Sequence, residues 1–180
     1  MTLRFLALSA SALIVAACAP TPVSYEETSL AAARAADNVA TPGTQEGWDA
    51  GNRAYLDWNG ARRGWTTTES GLQYRRVGKA HPDAPQPTAT DTVKVHYRGT
   101  FIDGREFDSS YARNEPATFP LNRVIKGWTE GVALMHIGET FEFVIPSDLA
   151  YGSRWVGGGE LPPNSTLRFT VELLEVNPAA

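Results

Sequence analysis

The sequence predicts an α+β domain in which an antiparallel, twisted sheet wraps over one short helix. Two patterns carry this reading. From about residue 70 onward, apolar side chains recur at every second position in several short runs, the period of strands with one wet face. One segment among them, from about Lys126 to Met135, repeats at helical spacing instead, with Trp128, Val132 and Met135 on one face. Strands of this kind bury their apolar face by packing it on such a helix.

The chain opens with MTLRFLALSASALIVAACAP, in which Arg4 precedes an apolar run from Phe5 to Ala17. The run is shorter than the ~18 residues a membrane-spanning helix needs, so residues 1–17 read as an export signal. Cys18 is the only cysteine, which excludes an intrachain disulfide. VAAC resembles a bacterial lipobox, whose cysteine is diacylated and becomes the first mature residue; Ala17-Cys18-Ala19 also fits a small-residue cleavage site that would discard it. Lipidation is the expectation, since two acyl chains give stable anchoring. Ala19 in place of an aspartate after the cysteine points to the outer membrane, with the protein facing the periplasm.

Residues 18–45 are rich in Ala, Thr, Pro and Ser and read as a flexible tether. Residues 46–65 form a short amphipathic arm, with Trp48, Tyr55, Trp58 and Trp65 at helix-compatible spacing. Such an arm either packs on the following domain, which is the expectation, or pairs two copies. The domain itself spans residues 66–180. GLQYRRV alternates imperfectly. TVKVHYRGTF alternates cleanly, with Val93, Val95 and Tyr97 inward and Lys94, His96 and Arg98 outward. Asp103-Gly104 marks a hairpin, for which a type I′ turn is predicted. FEFVIP turns Phe141, Phe143 and Ile145 to one face, and TLRFTVELLEV does so with Leu167, Phe169, Val171 and Leu173. Gly138 is the predicted helix stop. The loop YGSRWVGGGELPPNST separates the last two strands, and its glycines are no phosphate cradle, because no GKS or GKT follows.

Composition narrows the function. The chain has 180 residues, 42% of them hydrophobic, and a net charge of −4, so no basic field calls for nucleic acid. His81, His96 and His136 lie far apart without metal-ligand spacing, and no Ser–His–Asp or cysteine nucleophile pattern emerges, so neither a metal nor a cofactor is expected. His96 reads as a surface residue. What accumulates is aromatic side chain: Tyr97, Phe101, Phe107, Phe119, Trp128, Phe141, Phe143, Tyr151, Trp155 and Phe169. A surplus of this size around glycine-rich turns suggests a concave apolar site. RVIKGWTEG sharpens the question, because Trp128 sits between Gly127 and Gly131, and glycine costs a helix about 1 kcal/mol relative to alanine. The tryptophan is either plain core or the floor of a pocket.

VKVHYRGTFIDGREFDSS, RVIKGWTEGVALMHIGE, VIPSDLAYG and LPPNSTLRFTVELLEV, in this order across residues 66–180, resemble the FKBP family of peptidyl-prolyl cis–trans isomerases. The lead-in TTESGLQYRRV resembles the bacterial branch that includes macrophage infectivity potentiator proteins. The resemblance implies a half-barrel of antiparallel sheet around a short helix. It also implies rotation of Xaa–Pro bonds in exported polypeptides, proline-containing chains as partners and macrolides as inhibitors. By position it implies a pocket of Tyr97, Phe107, Asp108, Trp128, Tyr151 and Phe169. Arg113 would pair with Asp108, Trp128 would be the floor, the Val124–Ile125 pair would offer the Ile125 backbone N–H, and Tyr151 would donate its hydroxyl. Members of that branch carry a long dimerisation region; the short arm here implies at most a weak homodimer. Two departures stand out. Ala117 replaces a large wall residue, and the loop after Tyr151 lacks the usual histidine, leaving Val156 or Leu161 as its apolar lid. A binding module of the same fold, holding unfolded or proline-containing segments with weak turnover, is the alternative function.

Overall fold

The computed structural model describes residues 43–157 and 160–179. The signal, Cys18, most of the tether and Gly158 and Gly159 lie outside the described residues. The elements are α1 (Gln45–Gly60), β1 (Thr66–Thr67), β2 (Gln73–Val77), β3 (Thr92–Phe101), β4 (Glu106–Ser109) and β5 (Ala117–Pro120). After them come α2 (Lys126–Val132), β6 (Thr140–Ile145) and β7 (Leu167–Val176). One antiparallel sheet runs β1-β2-β6-β7-β3-β4, and β5 also pairs with β3. The alternation seen in sequence is the burial pattern of the strands: Val93, Val95, Tyr97, Phe141, Phe143, Ile145, Leu167, Phe169, Val171 and Leu173 are all buried. They meet Trp128, Val132 and Met135 of the α2 segment in one core.

Strand β3 organises the sheet. One edge pairs with β7 along its whole length, while the other is shared. Its first half pairs with β5, as in Val93–Phe119, and its second with β4, as in Gly99–Asp108. Ser110 fills the gap between the two. Fully buried, it donates its N–H to the Tyr97 carbonyl at 3.0 Å, and its hydroxyl accepts the Tyr97 N–H at 2.7 Å. A side chain thereby completes a ladder that no strand reaches, as buried backbone groups require. His96, the expected surface residue, is half-buried; its Nδ1 lies 2.9 Å from the Ser110 hydroxyl and its ring stacks on Tyr111.

Three sequence expectations need correction. Helix α2 ends at Val132 rather than Met135, because Leu134 and Met135 donate to the carbonyls of Gly131 and Val132, bonds that tighten the last turn out of α geometry. Gly138 therefore belongs to the entry into β6 and is not the helix stop. The β3–β4 hairpin does not use a type I′ turn. Gly104 alone has positive φ (88°) and donates to the Phe101 carbonyl, while the Phe101 N–H returns to the Arg105 carbonyl. That is a longer loop closed by a left-handed glycine, with Asp103 free to cap the Arg105 N–H through its side chain. Finally, Trp65 lies beyond the end of α1, so the aromatic stripe of the arm is not one helical face.

Helix α1 packs on the chain's own sheet. The Trp48 ring meets Phe101 edge-on at 5.8 Å, and its indole N–H donates to Ser165 Oγ at 3.2 Å. Tyr55 is fully buried beside Val144 and Ile102. Buried amides fix the register: Asn52 Oδ1 accepts the Thr166 N–H at 2.7 Å, and Asn59 donates to Gln73 at 2.8 Å. No helix of the described residues is long and apolar enough to cross a membrane.

Candidate active site

The glycines of RVIKGWTEG face the sheet. A Cβ at Gly127 would lie 2.5 Å from Ile145 Cγ2, and one at Gly131 would lie 2.6 Å from Phe143 Cε1. Helix α2 can therefore sit on β6 only because these positions carry no side chain. Its close seating turns Trp128 toward a cavity of about 560 Å³. Tyr97, Phe119 and Phe169 stand around the indole at 5.3, 5.7 and 5.4 Å, and all three cross it near the perpendicular, as Phe107 crosses Phe169 at 5.6 Å. Such edge-to-face pairs fix ring orientation beyond what area burial provides. Gly99 makes room for the wall, since a Cβ there would meet Phe107 at 2.7 Å and Phe169 at 2.9 Å. Only 4% of Trp128 is exposed, yet it lines the cavity with its neighbours, so an open hollow lies above it. Among the described residues no acceptor meets its Nε1.

A polar triangle braces one wall. The Tyr97 hydroxyl donates to Asp108 Oδ2, Arg113 Nη1 donates to Asp108 Oδ1, and Arg113 Nη2 donates to the Tyr97 hydroxyl at 2.9 Å. Burial pushes the Asp108 carboxyl up, but the donors Tyr97 and Arg113 outweigh it and hold the group below the usual carboxylate range. Burial, followed by the Asp108 hydrogen bond, raises Tyr97 above an ordinary tyrosine. Tyr151 is raised too, by burial and then by the Asp108 charge. Around neutral pH the wall therefore holds one ionised carboxylate, one guanidinium and two protonated phenols.

Beside the Trp128 Nε1 and the side chains of Arg123 and Lys126, the Ile125 backbone N–H and the Tyr151 hydroxyl are donors of the lining without a partner among the described residues. Ile125 is the N-cap of α2, extended at φ −60° and ψ 148°, where its carbonyl accepts from Trp128 and Thr129 and its N–H is left over. Tyr151 follows a short 3₁₀ turn, Ser147–Leu149, pinned by the Gly152 N–H donating to the Ser147 carbonyl at 2.9 Å.

Of the residues singled out in the sequence, Tyr97, Phe107, Asp108, Val124, Ile125, Trp128, Tyr151 and Phe169 line this one cavity. Arg113 stands behind the wall, bonded to it. Val156 and Leu161 do not line it: each donates its N–H to the other's carbonyl, at 3.2 and 3.1 Å, and this pairing turns Leu161 into the core at 8% exposure. Ala117 sits on β5 against the core, outside the lining. Phe101, Phe141 and Phe143 are core, and Trp155 is 61% exposed away from the lining. Arg123, Lys126, Ala150 and Arg154 line the cavity without having been singled out; the cations flanking Val124 and Ile125 in RVIKG were the available signal. Among the described residues no three His, Cys, Asp or Glu side chains group as metal ligands.

The sequence profile of the FKBP-type peptidyl-prolyl cis-trans isomerases matches residues 84–174. The chain belongs to this family. An FKBP-type isomerase of Aeromonas hydrophila, FkpA, is 57% identical over 127 residues, covering 70% of this chain and 46% of that protein. The outer membrane protein MIP of Legionella longbeachae is 45% identical over 127 residues, covering 71% of this chain and 53% of that one. The crystal structure of FkpA from Escherichia coli superposes with a TM-score of 0.68 at 45% identity, over 74% of this chain and 61% of that one. The FKBP-like α+β fold is thus shared with solved members. The chain spans about half the length of the curated relatives it matches.

Proposed function

We propose that this FKBP-type chain is a peptidyl-prolyl cis–trans isomerase acting on exported polypeptides at the bacterial envelope. The observation that carries the reading is the ring-walled cavity over Trp128, with the Ile125 N–H and the Tyr151 hydroxyl left unpartnered in its lining. Rotation about an Xaa–Pro bond meets a barrier of about 18–20 kcal/mol, because amide resonance is lost in the twisted state. The planar amide is the more polar form, so transfer from water to an aromatic cavity disfavours the ground state. Tyr97, Phe107, Phe119 and Phe169 would hold the proline ring on the indole. The Ile125 N–H would hold the substrate carbonyl and the Tyr151 hydroxyl a second one, both fixed before the twist. Lowering the barrier by about 4–6 kcal/mol gives roughly 10³–10⁴-fold acceleration, without covalent bond or proton transfer. Asp108 acts by holding Tyr97. Macrolide inhibitors would compete for the same cavity.

The lipobox-like VAAC supports an anchor at Cys18, and the relative named an outer membrane protein supports that membrane, with the domain facing the periplasm. Mass spectrometry of the mature N-terminus tests the anchor. The inward face of α1 is occupied by the chain's own sheet, so a weak homodimer would use another surface. The activity is tested by exchange NMR on a Leu-Pro peptide. The parent should speed cis–trans exchange at an unchanged equilibrium ratio, and Trp128→Leu should lose about tenfold or more in kcat/KM. Exchange at the uncatalysed rate with the parent refutes the reading, and suppression of aggregation without isomerisation would favour the binding module.

A further inference from the structure

Arg123, Lys126 and Arg154 line the cavity together, in a chain whose net charge is −4. Among the described residues none of the three takes part in an ion pair. The side chain of Arg154 reaches only the Tyr151 carbonyl, at 3.4 Å, and Arg123 and Lys126 are exposed without a side-chain hydrogen bond. Most cations elsewhere on the sheet are paired, as in Arg75–Glu142, Lys94–Glu175, Arg98–Glu106 and Arg105–Asp103, and Arg168 lies over the Tyr55 ring. The one carboxylate in the lining, Asp108, is already engaged by Arg113 and Tyr97. Asp148 and Glu160 are exposed nearby in sequence, but neither lines the cavity nor pairs with these cations. An apolar floor is thus rimmed by positive charge that no described carboxylate neutralises.

We propose that the preferred substrates are prolyl segments carrying Asp or Glu within a few residues of the proline, received by Arg123, Lys126 and Arg154. This rests on the isomerase reading and names its substrate class. Arg123 and Lys126 bracket Val124 and Ile125, the backbone that would hold the substrate chain, and Arg154 follows Tyr151 on a separate loop. Carboxylates on the substrate would therefore find a cation beside each unpartnered donor. The proline ring itself needs no charge, so the cations act on the flanks and set which sequences dwell in the cavity. A single exposed ion pair changes an affinity by up to about fivefold. Two or three converging at low salt give about tenfold, falling steeply as the screening length shrinks from about 10 Å at 0.1 M to about 3 Å at 1 M.

The test uses two otherwise identical Leu-Pro peptides, one with Glu and one with Gln two residues before and two after the proline, followed by exchange NMR. With the parent, kcat/KM for the Glu peptide should exceed that for the Gln peptide by about tenfold in dilute buffer, and by less than about twofold near 1 M salt. The combined Arg123→Gln, Lys126→Gln and Arg154→Gln protein, checked by circular dichroism, should bring the ratio close to one. Equal kcat/KM for the two peptides with the parent, a ratio indifferent to salt, or a ratio unchanged in a folded triple variant would overturn the proposal. Turnover of the Gln peptide separates this from the parent reading: present without preference, it overturns only the acidic specificity; absent with both peptides, it removes the isomerase itself.

Discussion

Replacing Gly127 by alanine sets two physical terms against each other. Helix propensity alone favours alanine by about 1 kcal/mol. Packing opposes it: the new Cβ would lie 2.5 Å from Ile145 Cγ2, 3.0 Å from Cδ1 and 3.2 Å from Cγ1. The nearest approach is about 1 Å short of ordinary contact, and contact with three atoms of one side chain means that rotating Ile145 does not relieve it. Ile145 is fully buried, so it cannot swing into solvent. Overpacking of this kind costs about 1–3 kcal/mol, and the overlap belongs near the upper end. The net expectation is destabilisation by about 1–2 kcal/mol, seen as a lower urea midpoint at unchanged slope. Because Trp128 is the next residue, a helix pushed off β6 should also lower kcat/KM by about tenfold. Combining the change with Ile145→Ala should give less than the sum of the two losses, with coupling of about 1 kcal/mol. A Gly127→Ala protein more stable than its parent, with unaltered turnover, would refute the argument that glycine sets the seating of the tryptophan.

Three other outcomes are expected. Asp108→Ala should lower kcat/KM by about tenfold in the peptide assay. Its stability should fall by no more than about 1 kcal/mol, because the carboxylate is 41% exposed and its ion pair is solvent-screened. The pH profile of kcat/KM should be flat from about pH 5 to 9, because Asp108 titrates below the ordinary carboxylate range and Tyr97 and Tyr151 titrate above the ordinary phenol; a bell-shaped profile would contradict this. Glu139 supplies an acid limb to stability. Burial raises its carboxyl, but the backbone N–H groups of His81 and His136 and the charge of Arg76 outweigh it and leave the value below 4.5. A depressed folded value contributes stability above the unfolded value that is lost as pH falls through the folded one. Glu139→Gln should therefore cost about 1–3 kcal/mol at pH 7, and the gap to the parent in urea midpoints should narrow as the pH falls through the depressed folded value.

The parts of the fold legible in sequence are those governed by period. Alternation assigned the faces of β3, β6 and β7 because each strand has one buried side, and Trp128 and Val132 showed the core face of α2 because their spacing is helical. Ends and turns were less legible. The last turn of α2 tightens through bonds that leave no residue signature, and Asp103-Gly104 is compatible with more than one loop length. The cavity walls could be named because aromatic residues cluster in recognisable runs. The groups that position those walls could not. Ser110 mends the β3 edge from a distance in sequence, Gly99 matters only through the rings that converge on it, and Val156 and Leu161 look like lid residues until they pair with each other. The rim cations lie beside the motif, but that no described carboxylate pairs with them is a three-dimensional fact.

The proposed catalysis is rotation of an amide inside an apolar cavity with no proton in flight. The most direct test is kcat/KM for one Leu-Pro peptide measured by exchange NMR in H₂O and in D₂O at matched acidity. The arrangement of Trp128, Ile125 and Tyr151 predicts a ratio near unity, since neither donor gives up its hydrogen in the twisted state. A ratio of about two or more would show proton transfer in the rate-limiting step and contradict the mechanism.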